Sequence, residues 1–222
     1  MTSTDQRGAR LAQVAAGRAL AVVRARSLTD AASLCDALAR GGIPAVELTF
    51  TTPDLPRHLA RAAATGPRTG ALVGAGTVLT AEHAYVAVES GAQFLVTPGL
   101  GPDAHEIVEL AHAADVPVIL GALTPSEVLT ASALGADAVK IFPAHRFGPG
   151  YLADLRGPFL DIALVPSGGI TADNAAAYLA AGAFLVCAGS NVVSPHDVET
   201  GEWAAITDKA AAFRAALDAP PT

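Results

Sequence analysis

Two side chains of opposite charge, Glu47 and Lys140, interrupt runs that are otherwise apolar or uncharged. Lys140 sits at the centre of AVKIF (138–142), and Glu47 lies inside AVELTF (45–50). An ammonium in such a run costs about several kcal/mol to desolvate unless it is paired or neutralised. Strand alternation places Glu47 and Thr49 on one face and Val46, Leu48 and Phe50 on the other. It likewise sets Lys140 against Val139 and Ile141. Two readings of the pair follow, and they coexist. One is a buried ion pair that satisfies both charges. The other is nucleophilic chemistry: desolvation favours a neutral amine, which can attack a ketone. A nearby carboxylate then serves the proton transfers at the carbinolamine, the imine and the enamine carbon. Lys209, the other of the two lysines, lies in AAITDKAAAFRAAL and reads as a solvated helix residue.

Further polar or backbone-special residues cluster late in the remaining apolar runs. In order they are Arg24, Thr77, Thr97-Pro98, Ser167-Gly168-Gly169 and Gly189-Ser190. A guanidinium such as that of Arg24 suits a carboxylate or a phosphate, and Arg26 beside it reads equally as a surface charge. Glycine pairs let backbone N–H groups approach anionic oxygens, so PSGGI (166–170) and CAGSN (187–191) read as phosphate corners or as two tight turns. The six histidines form no HxH, HxxxH or HExxH pattern, and no metal site is expected. His145 reads as a loop residue, and Cys35 and Cys187 read as small core hydrophobes.

Eight short apolar runs must position these groups. They start at residues 20, 45, 71, 94, 117, 138, 162 and 184, about 21 to 26 residues apart. That spacing is one strand–loop–helix–loop unit, and eight uninterrupted units predict an α/β fold, a closed (β/α)8 TIM barrel. In such a barrel, chemistry sits at the C-terminal ends of the strands, where the polar residues above fall. Glycines 91, 135 and 182 stand where helices should end, and Thr80, Thr124 and Thr171 where they should begin. Glu127 completes a capping box with Thr124. Residues 1–18 are expected to form an extra N-terminal helix outside the barrel, and residues 219–222 a frayed tail. The reading is one domain over residues 1–222.

Composition narrows the partners. The chain is 51% hydrophobic with a net charge of -7, and it shows no basic patch. Nucleic acid is therefore not an expected partner, and no apolar run has the length of a membrane span. Two isolated thiols suit a reducing cytoplasm.

Taken together, VELTFTTPD, LVGAGTVLT, GAQFLVTPGL, VKIFPA and VPSGGIT, in this order, resemble the 2-keto-3-deoxy-6-phosphogluconate (KDPG) aldolase family, which also handles 4-hydroxy-2-oxoglutarate. The resemblance runs from AVVRARS to CAGSNVV and implies a class I aldolase, a lyase on a (β/α)8 barrel that uses no cofactor and is usually a homotrimer. It implies Lys140 as the Schiff-base nucleophile and Glu47 as the acid/base. Thr49, Thr77 and Pro98 would line the pyruvate site, and Arg24 would bind the substrate carboxylate. Ser167, Gly168, Gly169, Gly189 and Ser190 would hold the phosphate. The substrate would be 2-dehydro-3-deoxy-6-phosphogluconate, cleaved to pyruvate and glyceraldehyde 3-phosphate. Alternatives are the galactonate epimer, 4-hydroxy-2-oxoglutarate cleaved to pyruvate and glyoxylate, a sugar-phosphate isomerase or epimerase, and a non-catalytic phosphometabolite-binding barrel. Three positions depart from the pattern. Thr51 stands where some members carry arginine, Ser167 replaces a threonine, and Leu120 stands where many members have proline.

Overall fold

Residues 3–220 are described by a computed structural model. Every expected run yields a strand: β1 (Ala19–Val23), β2 (Ala45–Thr49), β3 (Leu72–Gly76), β4 (Leu95–Val96), β5 (Val118–Ala122), β6 (Ala138–Ile141), β7 (Leu164–Pro166) and β8 (Val186–Ala188). All ladders are parallel, in the order β7-β6-β5-β4-β3-β2-β1-β8. The Phe184 N–H donates to the Leu164 carbonyl at 2.8 Å across the remaining seam, between the start of β8 and β7. The chain forms a (β/α)8 TIM barrel.

Alternation divides the strand side chains into two apolar layers. Val23, Val46, Leu48, Val73, Val139 and Ile141 face outward under the helices. Leu20, Ala45, Phe94, Val96, Ile119, Ala138, Val165 and Leu185 fill the interior. Burial on both faces is why these strands read as near-continuous apolar runs. β4 is cut to two residues by a side chain that takes over the ladder. The Thr97 hydroxyl accepts from the Gly121 N–H and donates to the Gly99 carbonyl, both at 2.8 Å. A Cβ on Gly121 would overlap the backbone of Pro98, so a glycine there lets the Thr97–Pro98 turn fold over the interior.

The first helix, α1 (Ser3–Ala15), is the extra helix expected before β1. It closes the end opposite the C-terminal strand ends. Val14 is fully buried in the interior layer, Leu11 packs beside it, and Arg10 donates to the Asp115 carbonyl at 3.1 Å. The Arg7 guanidinium lies 3.5 Å from Asp137, whose carboxylate also takes the Val118 N–H and contacts His112. The sequence reading expected this helix but gave no partner for its apolar face. Residues 1–2 and 221–222, part of the expected helix and tail, lie outside the described residues.

Helix ends follow the expected signals with one exception. Gly91, Gly135 and Gly182 have φ of 88°, 92° and 94°. Thr80 accepts from the His83 N–H, and Thr124 with Glu127 forms a capping box. Thr171 caps nothing. Its own N–H donates to the Asn174 side chain, and the helix α8 (Ala175–Ala180) starts three residues later than a Thr171 cap requires. Among the described residues no helix is long and apolar enough to cross a membrane.

Lys209 is not a free surface charge. It reaches from α10 (Trp203–Ala216) to the mostly buried carboxylate of Asp197 in α9 (Pro195–Thr200). The hydrogen-bonded ammonium, aided by Ser194, holds the Asp197 carboxyl below its usual range against the opposing effect of burial. A depressed carboxyl stabilises the fold above its unfolded-state pKa of about 3.9, and that stability is lost as the pH falls through the folded value. Lys209→Met is therefore expected to cost about 1 kcal/mol or less at neutral pH, because the lysine is part-exposed. Denaturant titrations should show the gap to wild type shrinking as the pH falls below about 4.

Candidate active site

β2 and β6 stand four places apart in an eight-stranded cylinder, so they face each other across it. Glu47 projects inward from one wall and Lys140 from the other. The Lys140 Nζ lies 3.6 Å from Glu47 Oε2, with side-chain exposures of 8% and 1%. That separation is an ion-pair contact just beyond hydrogen-bond reach, and Glu47 Oε2 has no hydrogen-bond partner among the described residues. A buried carboxylate oxygen without a donor is costly, and it is also an acceptor ready for a proton. Room for Glu47 comes from its neighbours. It pairs in register with Val22 and Gly74, and a Cβ on Gly76 would overlap its carboxyl group. Lys140 pairs with Gly121 and Val165, and its amine lies 5.8 Å from the centre of the Phe142 ring.

Above this pair a cavity of about 580 Å³ opens at the C-terminal strand ends. Its volume is in the range of small-molecule sites. Of the expected residues, Arg24, Thr77, Pro98, Lys140, Ser167, Gly168, Gly169, Gly189 and Ser190 line it. Glu47 contacts Lys140 but is not itself on the cavity wall. Thr49 is not brought to the cavity. It is fully buried, and its hydroxyl bonds the Val23 carbonyl and Thr51.

Each rim group is fixed locally. Arg24 donates to Thr51 Oγ1 at 3.1 Å and to Thr77 Oγ1 at 3.2 Å, and it has no carboxylate partner among the described residues. Arg26 instead lies over a shallower depression with Glu199, which accepts from its backbone N–H. Thr77 holds φ at 56°, a left-handed conformation that a β-branched residue rarely adopts. Gly168 and Gly169 have φ of 91° and 71°. A Cβ on Gly169 would press on the side chain of His145, whose backbone N–H donates to the Gly168 carbonyl at 3.2 Å. The N–H groups of Gly168, Gly169, Ser190 and Asn191 donate to no acceptor among the described residues. Four free donors on one cavity wall suit an anion. Neither glycine corner opens directly into a helix: α8 and α9 begin only at Ala175 and Pro195.

Sequence reasoning missed Val22, Phe142, Asn191 and Cys187, all on the cavity wall. Two of these were readable, since Val22 shares the face of Arg24 and Cys187 that of Leu185. Cys187 is a buried thiol beside Ser167, pushed up to about 11 by burial. Cys35 is a core thiol as expected. No group of three His, Cys, Asp or Glu side chains converges as a metal site among the described residues.

Comparison with known proteins identifies the family. The family described as KDPG and KHG aldolase matches residues 11–209. The chain belongs to this family. A 2-dehydro-3-deoxy-phosphogluconate aldolase of Treponema pallidum is 37% identical over 86% of this chain and 89% of its own length. A probable 2-dehydro-3-deoxy-6-phosphogalactonate aldolase of Rhizobium meliloti is 31% identical over 90% and 91%. Among solved structures, a KDPG aldolase from Legionella pneumophila holding pyruvate as a covalent carbinolamine superposes with a TM-score of 0.81. It is 30% identical, covering 93% of this chain and 97% of that one.

The dependence of Glu47 on a missing side chain is testable without turnover. Gly76→Ala should destabilise the aldolase fold by about 1–3 kcal/mol, as overpacking does. In a Glu47→Ala background the same Gly76→Ala change should cost little in denaturant unfolding, because the overlapping group is gone.

Proposed function

We propose that the protein is a metal-independent class I aldolase that reversibly cleaves 2-dehydro-3-deoxy-6-phosphogluconate to pyruvate and D-glyceraldehyde 3-phosphate. One observation carries this reading: the Lys140 amine and the unpartnered Glu47 oxygen, 3.6 Å apart, at the base of a cavity open to solvent. Lys140 attacks the keto carbon, and loss of water from the carbinolamine leaves an imine. Glu47, through a bridging water, takes the proton of the C4 hydroxyl. The C3–C4 bond breaks, and its electron pair moves into the enamine. The aldehyde leaves, Glu47 returns a proton to C3, and hydrolysis of the imine frees pyruvate and Lys140. The imine is the electron sink, so the scheme needs no further cofactor.

The remaining lining residues fit the two ends of that substrate. Arg24, with its charge unneutralised, binds the carboxylate, and Thr77 and Pro98 border the pyruvate carbons. The amides of Gly168, Gly169 and Ser190 take the phosphate at the far end, with Ser167 and Gly189 beside them. Similarity to the Rhizobium protein favours a second reading within the family, the galactonate epimer. The two differ in the orientation of one hydroxyl, and turnover of both phosphates decides between them. 4-Hydroxy-2-oxoglutarate, which presents the same keto acid, is a further substrate of the proposed site. A cytoplasmic homotrimer is carried over from the family resemblance, and light scattering measures the assembly.

The experiment for the nucleophile is borohydride reduction in the presence of pyruvate. Mass spectrometry should find one reduced pyruvate on wild type, located at Lys140, and none on Lys140→Ala. Glu47→Gln should still be trapped while its cleavage rate falls roughly 10²–10⁴-fold. A wild-type chain that gains no mass would exclude the mechanism.

A further inference from the structure

We infer that Thr51 and Thr49 are positioning residues that orient Arg24 toward the carboxylate of the keto acid. The inference rests on the proposed role of Arg24 and concerns residues that do not line the cavity themselves. Thr51 borders the neighbouring depression, and Thr49 is fully buried. Neither hydroxyl lies where it would touch a ligand beside Lys140. They are instead joined in a line. Arg24 Nη1 donates to Thr51 Oγ1 at 3.1 Å, Thr51 and Thr49 hydroxyls meet at 2.8 Å, and Thr49 donates to the Val23 carbonyl at 3.0 Å.

The direction of that line is fixed by counting protons. A threonine hydroxyl has one to give. Thr49 spends its proton on Val23, so Thr51 donates to Thr49 and is left to accept from Arg24. Every hydroxyl donates once and accepts once, which is the arrangement in which successive hydrogen bonds reinforce each other. The line ends on the residue that precedes Arg24, so the side chain is tied back to its own backbone. Thr77 accepts from the other terminal nitrogen at 3.2 Å, giving the guanidinium two fixed points.

The chemistry of the brace matters as much as its geometry. All acceptors in it are neutral. A carboxylate in place of Thr51 would hold the guanidinium equally well but would neutralise the charge that a substrate carboxylate needs. Hydroxyls orient the cation and leave three of its five N–H donors and its full charge available.

Borohydride trapping at varied pyruvate concentration tests this, with methyl pyruvate as the uncharged control. Thr51→Val should raise the half-saturating pyruvate concentration on the order of tenfold, the worth of one hydrogen bond to a charged group, with the maximal rate unchanged. Trapping by methyl pyruvate should not move, and Thr51→Ser should restore wild-type behaviour. Thr49→Val should act in the same direction and more weakly. Thr51 is exposed, and an unaltered melting temperature of its valine variant confirms an intact fold. An unchanged pyruvate requirement in Thr51→Val, an equal loss with methyl pyruvate, or no rescue by serine would each overturn the inference. Absence of trapping in the wild type is a different result: it removes the Lys140 chemistry itself and the inference with it.

Discussion

A carboxylate and an amine extend from opposite walls of the barrel and meet near its axis. Two ionisable groups taken that far out of water must either be held together or be supplied with other partners. Here the contact is close enough for attraction, and one carboxylate oxygen is left without a donor. Much of the surrounding sequence is explained by the need to keep that arrangement. Glycines 74, 76 and 121 remove side chains from the interior, and the space goes to the Glu47 carboxyl, the Phe94 ring and the Pro98 turn. Interior packing below the pair is apolar and complete, so water can reach the amine from one direction.

The rim is organised on the opposite principle. Around the base, groups are buried and short of partners, whereas around the mouth the backbone is bent so that donors are exposed. Left-handed conformations at Thr77, Gly168 and Gly169 turn the chain at two strand ends, those of β3 and β7. Such strain costs about 1–3 kcal/mol at a non-glycine residue and persists where the surroundings impose it. At Thr77 the neighbouring guanidinium is bonded to the same residue's hydroxyl, so the strained turn and the cation are positioned together.

How much of this the sequence disclosed follows from what periodicity can and cannot report. A period of two assigns a face, so Glu47 and Lys140 were readable as inward-pointing, and a repeated unit length made eight strands readable as a barrel. Depth along the barrel axis has no such signal. Thr49 shares a face with Glu47, yet it lies one layer away against Val23 rather than on the cavity wall. Cys187 looked like core for the same reason, being apolar and buried while still reaching the cavity. Partners brought in by loops were also out of reach. Lys209 looked solvated because its acceptor, Asp197, belongs to a six-residue helix that packs beside it. Thr171 has the right residue type for a cap, but the helix begins only after Asn174, whose side chain reaches back to the Thr171 N–H.

The plug that α1 forms beneath the interior layer has a bearing on traffic. With the packed interior layer above it and Val14 and Leu11 sealing its lower side, the chamber is entered from the C-terminal strand ends. If Lys140 holds the keto acid as proposed, that fragment departs last in cleavage and arrives first in the reverse direction. The other fragment, nearer the entrance, can come and go while its partner remains tethered. A packed layer that ligands never touch thereby sets their itinerary.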